Sequence, residues 1–272
     1  MWNDEVLKIA AQVNKEMRTE VAFGMASKRT IQNAIDKLIA RGVKEIVTVP
    51  LFVSSNSSVV TSTEYLLGLR KDAPKELAVY AKMSHSHGSH DNHSMMNMDS
   101  SFDPMTPVKS SVPIRMTQAL NSHPIVSEIL LDRARSISQE PAKEVVILVA
   151  HGPVTDEDNN KWLADMSVLA KLMKPKSKYK RIEYLTVRDD APEPLRSQVA
   201  AEFRKVVERA SGEGNKVLIV PLLISYGGIE QGIKKRLEGL NYIMTNQGLL
   251  PDERLAKWIL ISANSSTTAA AK

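Results

Sequence analysis

The 272-residue chain contains no cysteine. That excludes disulfides, thiolate metal sites and cysteine nucleophiles. Aromatic residues are scarce, at 5%, and no Arg/Lys stripe is interleaved with them, so a nucleic-acid partner is not expected. No apolar run approaches the roughly 18–20 residues that a membrane helix needs, so no membrane partner is expected either. The first residues, MWNDEVLKIAAQV, are amphipathic and acidic early, unlike a secretory signal. These absences point to a cytoplasmic protein. The rest of the composition is that of an ordinary globular protein, with 43% hydrophobic and 25% charged residues. The length suits two domains of roughly 120–130 residues, each with its own core. The net charge of +5 favours an anionic small ligand.

What the chain does have is a repeat. Residues 49–69 read VPLFVSSNSSVVTSTEYLLGL and residues 220–240 read VPLLISYGGIEQGIKKRLEGL. They align without a gap, placing Val49 on Val220, Pro50 on Pro221, Ser54 on Ser225, Leu66 on Leu237 and Gly68 on Gly239. Further on, the segment from Met116 to Leu130 answers that from Met244 to Leu260. A shared strand–loop–helix at this separation implies two copies of one domain.

Both copies alternate strands with helices, which implies parallel sheets with helices on both faces, an α/β fold. In the second copy, the continuous apolar run Glu144–Ala150 reads as a buried parallel strand ending at His151-Gly152. A helix over 161–173 follows, then a strand over 181–187, a helix over 195–209, a strand over 216–224, and helices over 230–240 and 252–260. In the first copy the spacing predicts helices over 5–15, 30–40 and 62–69 and strands over 19–23 and 45–53. Aligning Trp2-Asn3 with Asp158-Asn159 places the counterpart of His151-Gly152 before Met1, so the first copy is expected to lack its first strand. The expected domains are 1–137 and 144–262, joined by a linker at 138–143 and followed by a disordered tail at 263–272. Residues 83–111 are polar, without an apolar period, and read as a disordered loop. The loop carries His85, His87, His90 and His93, whose spacings suit accessory metal ligands as well as a merely tolerated insertion.

His151 is the sharpest candidate for chemistry, because ligands bind outside the carboxyl ends of strands in open α/β sheets. An imidazole there suits a metal ligand or a proton acceptor; a histidine bonded to a loop backbone is the plainer alternative. Glu230 opens a helix after the Gly227-Gly228 pair and would face the same mouth, or else compensates the helix dipole. Arg188, Lys234, Lys235 and Arg236 could clamp carboxylates or lie on a solvated face. Asp189 and Asp190 read as rim groups or loop caps. His123, just before a helix, reads as a cap or a packed residue.

The segments VILVAHG with its acidic turn, VPLLISYGG and LNSHPIVSEIL together resemble the sirohydrochlorin cobaltochelatase/ferrochelatase family, the class II tetrapyrrole metal chelatases. The resemblance implies two tandem flavodoxin-like domains forming a pseudo-dimer within one chain. It implies insertion of Co²⁺ or Fe²⁺ into a sirohydrochlorin-type tetrapyrrole, on the route to cobalamin or sirohaem. The metal is then a substrate, and neither nicotinamide nor flavin is called for. No G-x-x-x-x-G-K-[ST] loop occurs, in keeping with independence of ATP. The family's first catalytic histidine falls on His151, and its second falls on Ile229, with Ser58 in the same column of the first copy. Glu230 is then the expected substitute, and imidazole with carboxylate suits both ions. The tetrapyrrole pocket is expected to include Gly152, Pro153, Arg188, Tyr226, Gly227 and Gly228. A degenerate, non-catalytic homologue that holds or delivers metal or tetrapyrrole is the alternative.

Overall fold

The computed structural model describes residues 2–86 and 103–265. Among these, six strands form two parallel sheets. The chain divides into two compact units. The described residues of one fall within 7–50, 55–86, 103–119 and 256–265, and those of the other within 2–6, 51–54 and 120–255. These units cut across the two halves of the repeat. No described helix is long and apolar enough to cross a membrane.

The N-terminal half begins with helices α1 (Trp2–Val13) and α2 (Lys28–Ala40). Ile31, Ile35 and Leu38 recur at helical spacing on α2, and Ile35 is buried. Strand β1 (Ile46–Thr48), helices α3 (Ser58–Leu66) and α4 (Leu77–Ser86), and strand β2 (Ile114–Met116) follow. β1 and β2 pair in parallel, Ile46 opposite Ile114 and Thr48 opposite Met116, and this pair is a sheet by itself. Residues 19–23, expected as a strand, form no ladder. Their counterpart in the second half pairs along a central strand. The expected loop at 83–111 begins inside α4, which runs to Ser86.

The second sheet is built on β3 (Glu144–Ala150), β4 (Arg181–Thr186), β5 (Lys216–Leu222) and β6 (Ile243–Met244), in the order β4-β3-β5-β6. All seven residues of β3 are buried, as its unbroken apolar run requires of a strand covered on both faces. Val145, Ile147 and Val149 point to one face, where they pack with Phe203 and Val207 of α7 (Leu195–Gly212) and Ile233 and Leu237. α5 (Pro124–Ile137) and α6 (Asp156–Met173) pack on each other and against β5 and β4. Ile233 lies on α8 (Gly228–Arg236). Helix α9 (Arg254–Asn264) closes the described chain, reaching two residues into the stretch read as a tail.

The junction at 138–143 is ordered by one buried carboxylate. Glu144 accepts from the Ser138 hydroxyl and from the amides of Gln139 (2.8 Å) and Glu140 (2.9 Å). Burial pushes its pKa up, but these three donors and the charge of Lys216 hold it below the ordinary value.

Candidate functional site

The carboxyl ends of β3, β4 and β5 carry the residues singled out in the second half. β3 lies between the other two in register, so Ala150 is opposite both Thr186 and Leu222. His151 leaves β3 at this edge, and Gly152 then turns the chain at φ +76°. A Cβ at Gly152 would sit 2.4 Å from the Cβ of Thr186, so only glycine fits. Thr186 is itself fixed, donating to Oδ1 of the buried Asn159 at 2.6 Å. The loop then enters α6 through Thr155, whose hydroxyl oxygen accepts from the Asp158 amide at 3.3 Å. Thr155 is thus the N-cap of α6.

His151 is half-buried, and its Nε2 lies 3.5 Å from Oδ2 of the exposed Asp190. An imidazole in this setting can hold a cation or take a proton. Asp190 follows β4, so the pair joins the ends of two neighbouring strands. The sequence placed Asp190 only at the rim.

Glu230 is 1% exposed, and its Oε2 accepts from the Gly227 amide at 2.7 Å. This is the N-terminal capping interaction of α8, the plainer alternative for this residue. Its Oε1 is buried without a hydrogen-bond partner. No ion pair joins His151 to Glu230, and the described residues contain no group of three or more His, Asp or Glu placed to hold a metal ion. Ile229, in the column of the second histidine, packs against the core cluster of the second half.

The expected pocket residues divide by exposure. Gly227 and Gly228 are exposed, and Pro153 and Tyr226 are half-buried. Lys234 Nζ stands 5.8 Å from the centre of the Tyr226 ring, a cation–π contact. Arg188 is buried, with its guanidinium turned to the loop after β3: Nε donates to the Pro153 carbonyl at 3.1 Å, Nη2 to the Val154 carbonyl, and Nη1 pairs with Asp156 Oδ1 at 2.8 Å. Arg236 is paired with Asp189. His123 caps α5, its Nδ1 accepting from the Ile125 amide at 3.2 Å. Burial lowers its pKa, against the raising effect of Glu128. Of the four loop histidines, His85 stands on the last turn of α4, and His87, His90 and His93 lie outside the described residues.

Among the described residues of the first half, Ser58 occupies the column of Ile229. Ser58 opens α3, its hydroxyl hydrogen-bonded to that of Tyr80. Sequence reasoning missed the role of Arg188 because a guanidinium at the end of a strand looks the same whether it faces ligand or protein. Its left-handed backbone, φ +46°, leaves no mark in the sequence.

Comparison with known proteins agrees with this architecture. No curated protein matches the sequence. Among solved structures, the chain is similar to SirB from Bacillus subtilis with Fe³⁺, with a TM-score of 0.62, 16% identity, and coverage of 97% of this chain and 90% of that one. That is a likeness of fold. A multi-domain protein from Deinococcus radiodurans, DR2241, described as structurally similar to chelatases, gives a TM-score of 0.46 at 16% identity over 85% of this chain and 44% of that one. Residues 1–137 match the family model CbiX, which is half of the 272 residues. The matched half holds β1, β2 and α5, and the chain belongs to the CbiX family, the class II tetrapyrrole metal chelatases.

Proposed function

We propose that this protein inserts a divalent ion, Co²⁺ or Fe²⁺, into a sirohydrochlorin-type tetrapyrrole without ATP, serving cobalamin or sirohaem synthesis. The observation that carries this reading is the His151–Asp190 pair at the carboxyl end of the central strand, on a turn that admits only glycine at 152. Insertion removes two pyrrolic protons and adds one divalent ion. His151 Nε2 holds the ion or accepts a proton, with Asp190 Oδ2 beside it at 3.5 Å. Glu230 Oε1, the one carboxylate oxygen of the α8 cap without a partner, is the second oxygen ligand or relay. Of the cations considered, Lys234 and Lys235 remain as clamps for substrate carboxylates, since Arg188 and Arg236 are engaged internally. The two halves arose by duplication and stand in for the subunits of a dimer.

Purified protein mixed with Co²⁺ and sirohydrochlorin, followed by absorbance, tests this reading. The wild type is expected to exceed the spontaneous rate, and His151→Ala to lose about 100-fold of that acceleration. An undiminished His151→Ala rate removes His151 from the mechanism. A second reading, a non-catalytic holder of metal or tetrapyrrole, is favoured by Ile229 in the second histidine's column and by the use of Glu230 as a cap. Metal binding without any acceleration by the wild type would decide for it.

A further inference from the structure

The turn after β4 grips the site at three points with three consecutive residues. Asp190 meets the His151 ring, Asp189 holds Arg236 of α8, and Arg188 holds the loop that carries His151. Arg188 makes the most contacts. Its own amide donates to the His151 carbonyl at 2.6 Å, and its guanidinium reaches Pro153, Val154 and Asp156. It does so from a left-handed backbone that a residue with a Cβ adopts only when its surroundings impose it, and its own carbonyl accepts from the Ala191 amide at 2.9 Å.

We propose that Arg188 is a positioning residue for His151, a buried brace that sets the 151–156 loop and hence the imidazole. The proposal rests on the reading of His151 as the reacting group. β3 fixes the chain only as far as Ala150, and Gly152 imposes no side-chain packing of its own. The next residues, Pro153 to Asp156, are half-buried or exposed, so the core does not hold them. Beside the Thr155 cap of α6, they are tied by the fork of one guanidinium, whose planar donors span two successive carbonyls and a carboxylate. A lysine, with one ammonium, reaches fewer of these acceptors at once. The Arg188 side chain is 7% exposed and that of Asp156 82% exposed, so the brace runs from the interior to the surface and one end can be cut alone.

Three variants of the full chain test the brace: Arg188→Met, Arg188→Lys and Asp156→Asn. Hydrogen exchange of amides 151–158 is expected to accelerate about tenfold or more in Arg188→Met while β3 and β5 keep their protection. In the Co²⁺–sirohydrochlorin assay kcat is expected to fall about tenfold with KM nearly unchanged, because geometry rather than substrate binding is lost. Arg188→Lys should recover part of both effects, and Asp156→Asn should show a smaller change in the same direction. Wild-type exchange and kcat in Arg188→Met would overturn the proposal. So would a raised KM at constant kcat, which makes Arg188 a clamp for substrate. If Arg188→Met does not fold, Asp156→Asn decides: unchanged loop exchange there refutes the brace. A wild type that inserts no metal sinks the functional reading alone, since loop exchange still judges Arg188.

Discussion

In the four-stranded sheet, β3 is flanked by β4 and β5 and buries all seven of its residues, whereas β1 and β2 pair with each other alone. The two sheets nevertheless share local geometry. The Thr117 amide donates to the Thr48 carbonyl at 2.9 Å, and the Thr245 amide to Ile219 at 3.2 Å, 171 positions on from Thr48. The amides of Leu120 and Asn121 reach Phe52 and Val53, and those of Leu249 and Leu250 reach Leu223 and Ile224. The strand–loop unit therefore closes in the same way with or without a central strand. Two features do depend on that strand. One is the ladder to the far edge: residues 181–186 are a strand and residues 19–23 are not. The other is the chemistry, since His151 and Gly152 stand on its end.

The matched positions Ile219 and Thr48 offer the sharpest break. Ile219 is fully buried beside β3, while Thr48 is half-buried in a sheet of two. Ile219→Ala is expected to cost about 4 kcal/mol in denaturant unfolding and Thr48→Ala about 1 kcal/mol or less. Equal costs would show that the central strand adds no packing. Gly152→Ala comes next, at about 3 kcal/mol, because the new methyl must displace Thr186 at the neck of the site. The insertion assay should register the same change as a near-complete loss, and a tolerated alanine would mean that the turn is not fixed.

Glu144 secures the base of β3, which the first sheet lacks. Its pKa is depressed on folding, so its contribution is complete above the ordinary value of 4.5 and is lost as pH falls below it. Glu144→Gln is expected to cost about 2 kcal/mol at neutral pH. It should also flatten the fall in stability below pH 4.5, as read by denaturation at several pH values. An acid limb identical to that of the wild type would assign the pH dependence elsewhere. The smallest effect concerns Gly68 and Gly239, aligned glycines at φ +74° and +82° with open space where a Cβ would lie. Alanine at either is expected to cost about 1 kcal/mol, from backbone strain alone. Clearly unequal costs would break the equivalence of the two helix ends.

Elements with a dense local signal were legible. The run EVVILVA became β3 unchanged, and helix 195–209 was found as Leu195–Gly212. Helix 161–173 begins five residues earlier, at Asp156, because Thr155 caps it there. Residues 19–23 were misread because a strand's propensity is realised only against a partner. The site divides in the same way. His151 was visible from its place after an apolar strand, and Glu230 from its place at a helix start. Their actual partners, Asp190 and the Gly227 amide, were not.

The order of the residues alone determined the repeat, the buried central strand and the glycine-flanked histidine at its end. These follow from apolar patterning and from which residues tolerate which backbone, both properties of a short stretch of chain. Tertiary structure alone decided that α5 packs with the four-stranded sheet and that Arg188 serves the loop at 151–156. Such pairings join residues tens of positions apart, and a guanidinium or a carboxylate carries no sign of its partner until the fold brings the two within hydrogen-bonding reach.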